Sequence, residues 1–334
     1  MKKINLPYIP NFIDQNIDLK KLRPEKSYDY LIKNRNQDLN KLLKSKKKLK
    51  KFLKERNCPS CNSKNKSTVC KKDGLRIVKC KNCELIFVSP TFDYEHYINL
   101  YKKTEYQKIT KKLSEKSHNY RRKRFGIERI NILNKFLKKN KKHSVLEIGS
   151  STGFFIEEAR NVGWKTLGLE LNPSAVSFAQ KRGLNVQNKD FLKTKFNEKF
   201  DIICAFDVLE HLIDPKKIIE KAYKNLKKGG LLFVYVPNWQ SASRLLLGEK
   251  NSHFIWPTHH LTYFTPNTLK SFFEKNKFKM IYWETQGLDF LDIDWYLNYT
   301  KDNKSKFYSN NIEKLQFMIN SAGYGKNLRM VVKK

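Results

Sequence analysis

The stretch Val145-Leu-Glu-Ile-Gly-Ser-Ser-Thr-Gly-Phe-Phe155 decides the fold of this 334-residue chain. Its apolar run Val145–Ile148 predicts a buried strand, and Gly149 and Gly153 then turn the chain into a helix over 153–162. Such a turn lets a ligand approach the backbone closely, at the carboxyl edge of a sheet, where doubly wound folds bind ligands. The glycines are four residues apart and follow an acid, so the dinucleotide-binding fingerprint does not fit.

Strand-like and helix-like segments alternate from residue 144 onward. This alternation predicts right-handed βαβ units and an α/β fold with a Rossmann-like, doubly wound, mostly parallel sheet. We expect Leu328–Val332 to form a final edge strand and leave 286–325 unassigned. The other predicted strands are Val145–Ile148, Thr166–Leu169, Phe200–Phe206, Leu231–Val236 and Phe278–Trp283, and the predicted helices are 153–162, 173–182, 215–227 and 266–276.

Five segments, in order and spacing, resemble the class I S-adenosylmethionine-dependent methyltransferases. The stretch 145–155 resembles their motif I, E/D-x-G-x-G-x-G, with Ser151 at the middle glycine, and the others are 164–170, 188–191, 200–211 and 228–237. The resemblance implies S-adenosylmethionine as cofactor, with Glu170 accepting hydrogen bonds from the ribose hydroxyls and Asp190 binding the adenine amino group. The cofactor-binding residues that it implies are Glu147, Gly149, Ser151, Gly153, Glu170, Asp190, Phe191 and Asp207.

Two C-x2-C pairs precede this region. Cys58 and Cys61 are separated by eighteen residues from Cys80 and Cys83. Each tight knuckle aims two sulfurs at one point, and two knuckles predict a tetrahedral zinc site with four thiolate ligands. Four thiolates leave no open coordination position, so the predicted zinc is structural. A disulfide or a redox C-x-x-C is the alternative; the absence of a secretion signal and the matched pair of motifs favour zinc.

Two histidines are candidate catalytic bases, His211 and His260. The stretch from His260 to Thr265 resembles a histidine-containing segment of nucleotide-sugar C-methyltransferases, which also carry an N-terminal four-cysteine zinc module. In those enzymes a Tyr-x-Glu-His group abstracts the acceptor proton; here Pro257 and His259 take the Tyr and Glu positions, and only His260 matches. An O- or N-methyl transfer needs only one such base. The alternative for either histidine is a packing or capping role.

Composition limits the partners and the location. Hydrophobic residues make up 40% of the chain, too much for a mainly disordered protein. The net charge is +36, and residues 1–142 hold 40 basic and 13 acidic side chains. Only 12 of the 68 basic residues are Arg, which favours a solvated Lys-rich surface over a nucleic-acid interface. No apolar run approaches the ~20 residues of a membrane span, and the start lacks a signal-peptide stretch, so we expect a cytoplasmic protein.

These observations predict a methyltransferase of several parts. The expected acceptor is a small molecule, in first place a nucleotide-linked sugar or a surface-polysaccharide intermediate. The alternatives are an RNA methyltransferase that docks RNA through its ribbon and basic arm, and a non-catalytic zinc-ribbon adaptor. The predicted parts are a Lys-rich helical arm at 1–57 with an amphipathic helix over 37–56, a zinc ribbon at 58–90, a helical linker at 91–143 with a helix over 121–139, and a cofactor-binding domain at 144–334 with an acceptor lid at 238–265.

Overall fold

A computed structural model describes residues 17–22, 33, 37, 53–93, 95, 104–138, 141–252, 254–299 and 305–334. The strands are β1 (Lys66–Lys72), β2 (Leu75–Cys80), β3 (Ile86–Val88), β4 (Ser144–Ile148), β5 (Lys165–Leu169), β6 (Val186–Gln187), β7 (Phe200–Phe206), β8 (Leu226–Pro237), β9 (Thr262–Tyr263), β10 (Lys279–Gln286) and β11 (Asn327–Lys333). The α-helices are α1 (Leu19–Leu22), α2 (Thr104–Arg121), α3 (Ile127–Asn134), α4 (Phe154–Asn161), α5 (Pro173–Lys181), α6 (Pro215–Asn225), α7 (Ala242–Asn251), α8 (Pro266–Lys275), α9 (Asp289–Tyr299) and α10 (Ser305–Ser321). Residues 38–52 of the predicted amphipathic helix over 37–56, and most of the arm at 1–57, lie outside the described residues. The described end of that prediction, 53–56, is not helical, because the Lys54 backbone pairs with Thr91 in an antiparallel bridge.

A seven-stranded sheet with the order β10-β11-β8-β7-β4-β5-β6 forms the centre of the fold. The neighbours β8-β7, β7-β4, β4-β5 and β5-β6 are parallel, as the alternating segments predicted. Adjacent residues of β4 face opposite layers: Val145 packs in one buried apolar cluster with Phe125 and Phe155, and Leu146 packs in the other with Ile219. The predicted α/β Rossmann-like fold is thereby confirmed.

The last strand is not at the edge of the sheet. The sequence predicted an edge strand over Leu328–Val332, but β11 lies between β8 and β10 and is antiparallel to both. Its five residues from Leu328 to Val332 are all buried. The charge of Arg329 within this strand is neutralised inside the protein, where its guanidinium donates to Glu284 Oε1 at 2.8 Å and to Glu128 Oε2 at 2.7 Å.

The ends of several helices and strands differ by a few residues from the predicted ends. The helix predicted over 121–139 ends as α3 at Asn134, and a π-helical turn at Arg122–Gly126 joins it to α2, which begins at Thr104. The strand β8 begins at Leu226, five residues before the predicted start, because Leu226 pairs with Phe200 of β7. The unassigned stretch 286–325 holds the helices α9 and α10.

A second, four-stranded sheet has the order β1-β2-β3-β9. Three strands come from the cysteine-rich segment, and Asp73-Gly74, both with positive φ, make the two-residue hairpin turn between β1 and β2. The fourth strand, β9, belongs to the predicted acceptor lid, and Ile86 of β3 pairs there with Tyr263. The lid and the cysteine segment therefore form one sheet. Among the described helices, none has both the length and the apolar character that crossing a membrane requires.

Candidate functional site

The turn after β4 is built from two glycines in the left-handed region. Gly149 has φ +70° and Gly153, the residue before α4, has φ +76°. A Cβ atom at Gly149 would lie 2.8 Å from Cγ2 of Val208, so no other residue fits there without a shift. The Gly149 N–H donates to Leu169 O at 2.8 Å, which fixes the turn against the end of β5. The turn thus lies at the carboxyl ends of β4, β5 and β7.

Ser151 takes over the role of the middle glycine without opening the turn. It adopts φ +50°, a left-handed conformation that a serine adopts at some cost. Its N–H donates to Glu170 Oε2 at 2.8 Å, and Glu170 Oε1 accepts the Asn172 N–H at 2.8 Å. Each carboxylate oxygen of Glu170 keeps a second acceptor position, so the side chain can still receive hydroxyl groups of a ligand.

Glu147 is a buried carboxyl group beside the turn. Its side chain is 2% exposed, and Oε2 has no hydrogen-bond partner among the described residues. Burial raises the pKa of Glu147 to about 8, against the opposing effect of the nearby Arg129 guanidinium. An unpaired buried acceptor is costly, and at a ligand-binding turn it fits a cationic group that arrives with the ligand.

Arg129 of α3 is a candidate site residue that the sequence analysis did not find. It is 5% exposed, its guanidinium carbon lies 3.8 Å from the ring centre of Phe206, and its Nε and Nη1 have no hydrogen-bond partner in the described part of the chain. One signal was available, because Arg129 lies four residues from both Phe125 and Leu133, on the apolar face of the predicted helix. A charge on such a face indicates a buried partner or ligand.

The remaining predicted cofactor residues lie along the same edge of the sheet. Asp207 follows β7 with φ +55°, and its N–H donates to Tyr235 O at 2.9 Å. The Asp190 carboxylate accepts the Leu192 N–H at 2.8 Å. The Phe191 ring does not face a ligand: it is 3% exposed and packs 5.8 Å from the Phe196 ring, so only its backbone is available at this edge.

Glu210, His211 and His260 form a cluster next to Val208. The three side chains bring ligand atoms within 4.8 Å of one another, which is close enough to hold a metal ion. Glu210 is 1% exposed, and neither of its oxygens has a hydrogen-bond partner among the described residues. Burial raises the pKa of Glu210 well above its usual range and lowers the pKa of His211 to about 4. The two predicted bases are thus brought together, with ring centres 4.9 Å apart.

Backbone carbonyls fix the tautomer of both histidines. His211 Nδ1 lies 3.0 Å from His259 O, and His260 Nδ1 lies 2.7 Å from Phe254 O. A carbonyl oxygen only accepts, so each Nδ1 carries the hydrogen and donates it. The lone pair of each imidazole is therefore on Nε2. Both rings are held in the form that can accept a proton at Nε2.

The four predicted metal ligands also come together. Sγ of Cys58 lies 3.4 Å from Sγ of Cys83, Sγ of Cys61 lies 3.6 Å from Sγ of Cys80, and all four sulfurs lie within 4.8 Å of one another. The residue after each knuckle, Asn62 or Glu84, has φ near +60°, so the two turns match. Sulfurs about 2.3 Å from a shared ion would be spaced in this way, and the donor set is the one that structural zinc prefers.

Comparison with known proteins identifies a methyltransferase domain in the chain. A family model described as "Methyltransferase domain" matches residues 118–282. The Ubiquinone biosynthesis O-methyltransferase, mitochondrial, of Dictyostelium discoideum is 27% identical over 57% of this chain and 68% of its own length, and the Ubiquinone biosynthesis O-methyltransferase of Glaesserella parasuis is 32% identical over 31% of this chain and 49% of its own length. The chain thus spans about two thirds of the first relative and about half of the second.

A solved structure, the SAM dependent methyltransferase from Archaeoglobus fulgidus, is 20% identical, with a TM-score of 0.43 over 64% of this chain and 94% of that one. The matched segment 118–282 includes Arg129, the glycine turn and both candidate bases. Residues 118–282 are therefore a methyltransferase domain, and the protein is an S-adenosylmethionine-dependent methyltransferase.

Proposed function

We propose that the enzyme transfers the methyl group of S-adenosylmethionine to a hydroxyl oxygen of a small molecule, and that His260, assisted by His211, accepts the hydroxyl proton. The observation that carries the proposal is the pair of imidazoles with Nε2 lone pairs beside the glycine turn. Val208 lies against Gly149 of the glycine turn, and His211 follows Val208 by three residues. Because the His260 ring lies beside the His211 ring, both proposed bases are close to the turn.

The described residues fit the cofactor from end to end. In this proposal Glu170, which keeps acceptor positions beside its bond from Ser151, receives the ribose hydroxyls, and Asp190 accepts from the adenine amino group. The unpaired Glu147 oxygen suits the methionyl ammonium, and the unpaired Arg129 nitrogens suit the methionyl carboxylate. Gly149, Ser151 and Gly153 give the backbone close approach, and Asp207 lies at the rim beside them. When bound, the cofactor supplies a methyl group that its positive sulfur has already activated.

The protein's own part in the reaction is orientation and proton removal. As the hydroxyl oxygen bonds to the methyl carbon and the carbon–sulfur bond breaks, the hydroxyl proton passes to an imidazole Nε2. Burial lowers the pKa of His211, so this imidazole is neutral at pH 7. An imidazole is a suitable base for a hydroxyl whose pKa is near 10, as in a phenol.

The acceptor of first choice is therefore a phenolic hydroxyl. The names of the curated relatives, which contain "O-methyltransferase", agree with an oxygen acceptor, and none of those names refers to a sugar. The second candidate is a nucleotide-linked sugar, in line with the sequence analysis. The observation that favours it is the sheet shared by the four-cysteine segment and the acceptor loop, since the sugar C-methyltransferases that the sequence resembles also carry a four-cysteine module. RNA is the third, since the chain is strongly basic.

A panel of acceptors tests the proposal. The enzyme is incubated with methyl-labelled S-adenosylmethionine and, separately, with simple catechols, with nucleotide-linked sugars and with RNA. We expect label in a methyl ether of a catechol, recovered after chromatography. Label in a nucleotide-linked sugar would show that the second candidate, and not a phenol, is the acceptor. Label in RNA that falls steeply as the salt concentration rises would establish the third.

The pH dependence of cofactor binding tests the role of Glu147. Below a pKa of about 8 this carboxyl is protonated in the free enzyme, whereas the methionyl ammonium binds its ionised form. Binding should therefore release about one proton at pH 6.5, and affinity should rise about tenfold per pH unit up to pH 7.5. Calorimetry in two buffers of different ionisation enthalpy measures the proton release. Glu147→Gln should bind more weakly and release no proton; an equal release in that variant would contradict the role.

We also propose that the four cysteines bind a structural zinc ion, and that the ribbon at 58–90 holds the acceptor lid at 238–265 in place. The sulfur spacing and the strand pairing of β3 with β9 support this. The other proposed divisions of the chain are the Lys-rich arm at 1–57, the linker at 91–143 and the cofactor-binding domain at 144–334. The proposed zinc site does not take part in the chemical step, because four thiolates complete its coordination.

A further inference from the structure

Arg56, two residues before the first knuckle, reaches both segments that carry the candidate bases. Its Nη1 donates to Ile213 O at 3.0 Å, and its Nη2 donates to Leu261 O at 2.7 Å and to Thr262 Oγ1 at 3.2 Å. Ile213 is two residues from His211, and Leu261 directly follows His260. One guanidinium thus ties together two segments that are about fifty residues apart in the sequence.

The backbone of Arg56 is hydrogen-bonded within the cysteine segment. The Arg56 N–H donates to Ser89 Oγ at 3.2 Å, and the Arg56 carbonyl accepts from Lys66 Nζ at 2.9 Å. Its guanidinium carbon lies 5.2 Å from the ring centre of Phe87, a residue of β3 that pairs with Thr262 of β9. The side chain therefore starts from the small sheet and ends at the acceptor side of the site.

The two segments that Arg56 joins also contact each other directly. The Leu261 N–H donates to Glu210 O at 2.6 Å, and His211 Nδ1 donates to His259 O. The second of these bonds is the one that fixes the tautomer of His211. A shift of the 259–262 backbone relative to the 209–213 backbone would lengthen both bonds and release that tautomer.

We propose that Arg56 is a positioning residue that holds the two backbones in register and so keeps the neighbouring His211 and His260 rings as Nδ1–H tautomers. Its catalytic consequence rests on the proposed function, but the positioning itself does not. A planar guanidinium can donate to three acceptors in fixed directions, whereas a lysine ammonium is a flexible single point. Through Arg56 the cysteine segment becomes part of the acceptor site.

Long-range ¹H–¹⁵N spectra of the cofactor-free protein labelled in histidine test this, because they separate Nδ1–H from Nε2–H tautomers without any methyl transfer. In the wild type we expect His211 and His260, assigned by replacing each in turn, to give Nδ1–H patterns. Arg56→Met should shift the patterns of both histidines toward those of averaged tautomers. Arg56→Lys should give patterns between those of the wild type and of Arg56→Met. Arg76→Met is the matched control, since Arg76 donates to Ser89 O and Glu55 within the cysteine segment.

The outcome distinguishes positioning from simple stabilisation. If Arg56→Met lowers the thermal midpoint but leaves both histidine patterns as in the wild type, the proposal is wrong. If Arg56→Met does not fold, the comparison of Arg56→Lys with Arg76→Met decides in the same way. Because the spectra need no acceptor, failure of the phenol proposal leaves this result intact.

Discussion

His260→Ala is expected to reduce methyl transfer by about 10²- to 10⁴-fold, the usual loss when a general base is removed. Cofactor affinity should stay within about twofold, because the proposed cofactor residues are on other segments, along the edge of the seven-stranded sheet. The physical reason is the tautomer: His260 donates Nδ1–H to Phe254 O, so its lone pair is on Nε2, and the ring lies in the cluster with Glu210 and His211.

The adjacent His259 provides the control for this substitution. Its ring stacks on Trp256 at 4.0 Å, and its Nδ1 lies 3.0 Å from Thr258 Oγ1, so its contacts differ from those of the cluster. His259→Gln should therefore cost less than about tenfold in turnover, with its carbonyl still accepting from His211. Turnover is measured on the acceptor that the panel identifies, and cofactor affinity by calorimetry. Full activity of His260→Ala would remove it as the base.

The parallel part of the sheet could be predicted because its signals are local. Strands such as Phe200–Phe206 are short apolar runs followed by turn residues, and each is separated from the next by a helix of ordinary length. The position of β11 was not predictable in this way. Its place between β8 and β10 depends on antiparallel pairing with distant residues and on the burial of Arg329 against Glu128 and Glu284, which no local pattern shows.

The candidate site likewise contains residues that local sequence patterns predict and residues that they do not. Gly149, Gly153 and the acids Glu147 and Glu170 lie in short motifs, so their types and spacing are enough to indicate a cofactor turn. Arg56 contacts residues far along the sequence, and in a chain with 68 basic residues it looks like a surface cation. Arg129 is distinguished only by its position on the apolar face of the predicted helix. The two-residue strand β9 is too short to produce a periodic signal. Its pairing with β3 is what joins the cysteine segment to the acceptor loop.

Cys58→Ser is expected to abolish methyl transfer through loss of the zinc site, without loss of cofactor binding. Structural zinc contributes about 10–16 kcal/mol of apparent binding free energy in zinc-finger peptides, and that energy holds the folded state. Here it would hold the two knuckles on which β2 and β3 depend. Without them β9 loses its pairing partner, and the segment with His260 loses its support from Phe87 and Arg56. The proposed cofactor residues, which lie along the other sheet, should keep their places.

Three measurements on Cys58→Ser, with Cys70→Ser as the control, separate this effect from general unfolding. Cys70 is in β1 of the same small sheet but outside the four-sulfur cluster, so its replacement should keep one zinc per chain and near-normal turnover. In Cys58→Ser we expect metal analysis to give almost no zinc, limited proteolysis to cut within 53–93, and calorimetry to show S-adenosylmethionine bound with wild-type affinity. Resistance of 53–93 to protease in a zinc-free variant would mean that the small sheet folds without metal, because apolar burial around Ile77 and Phe87 alone would then suffice.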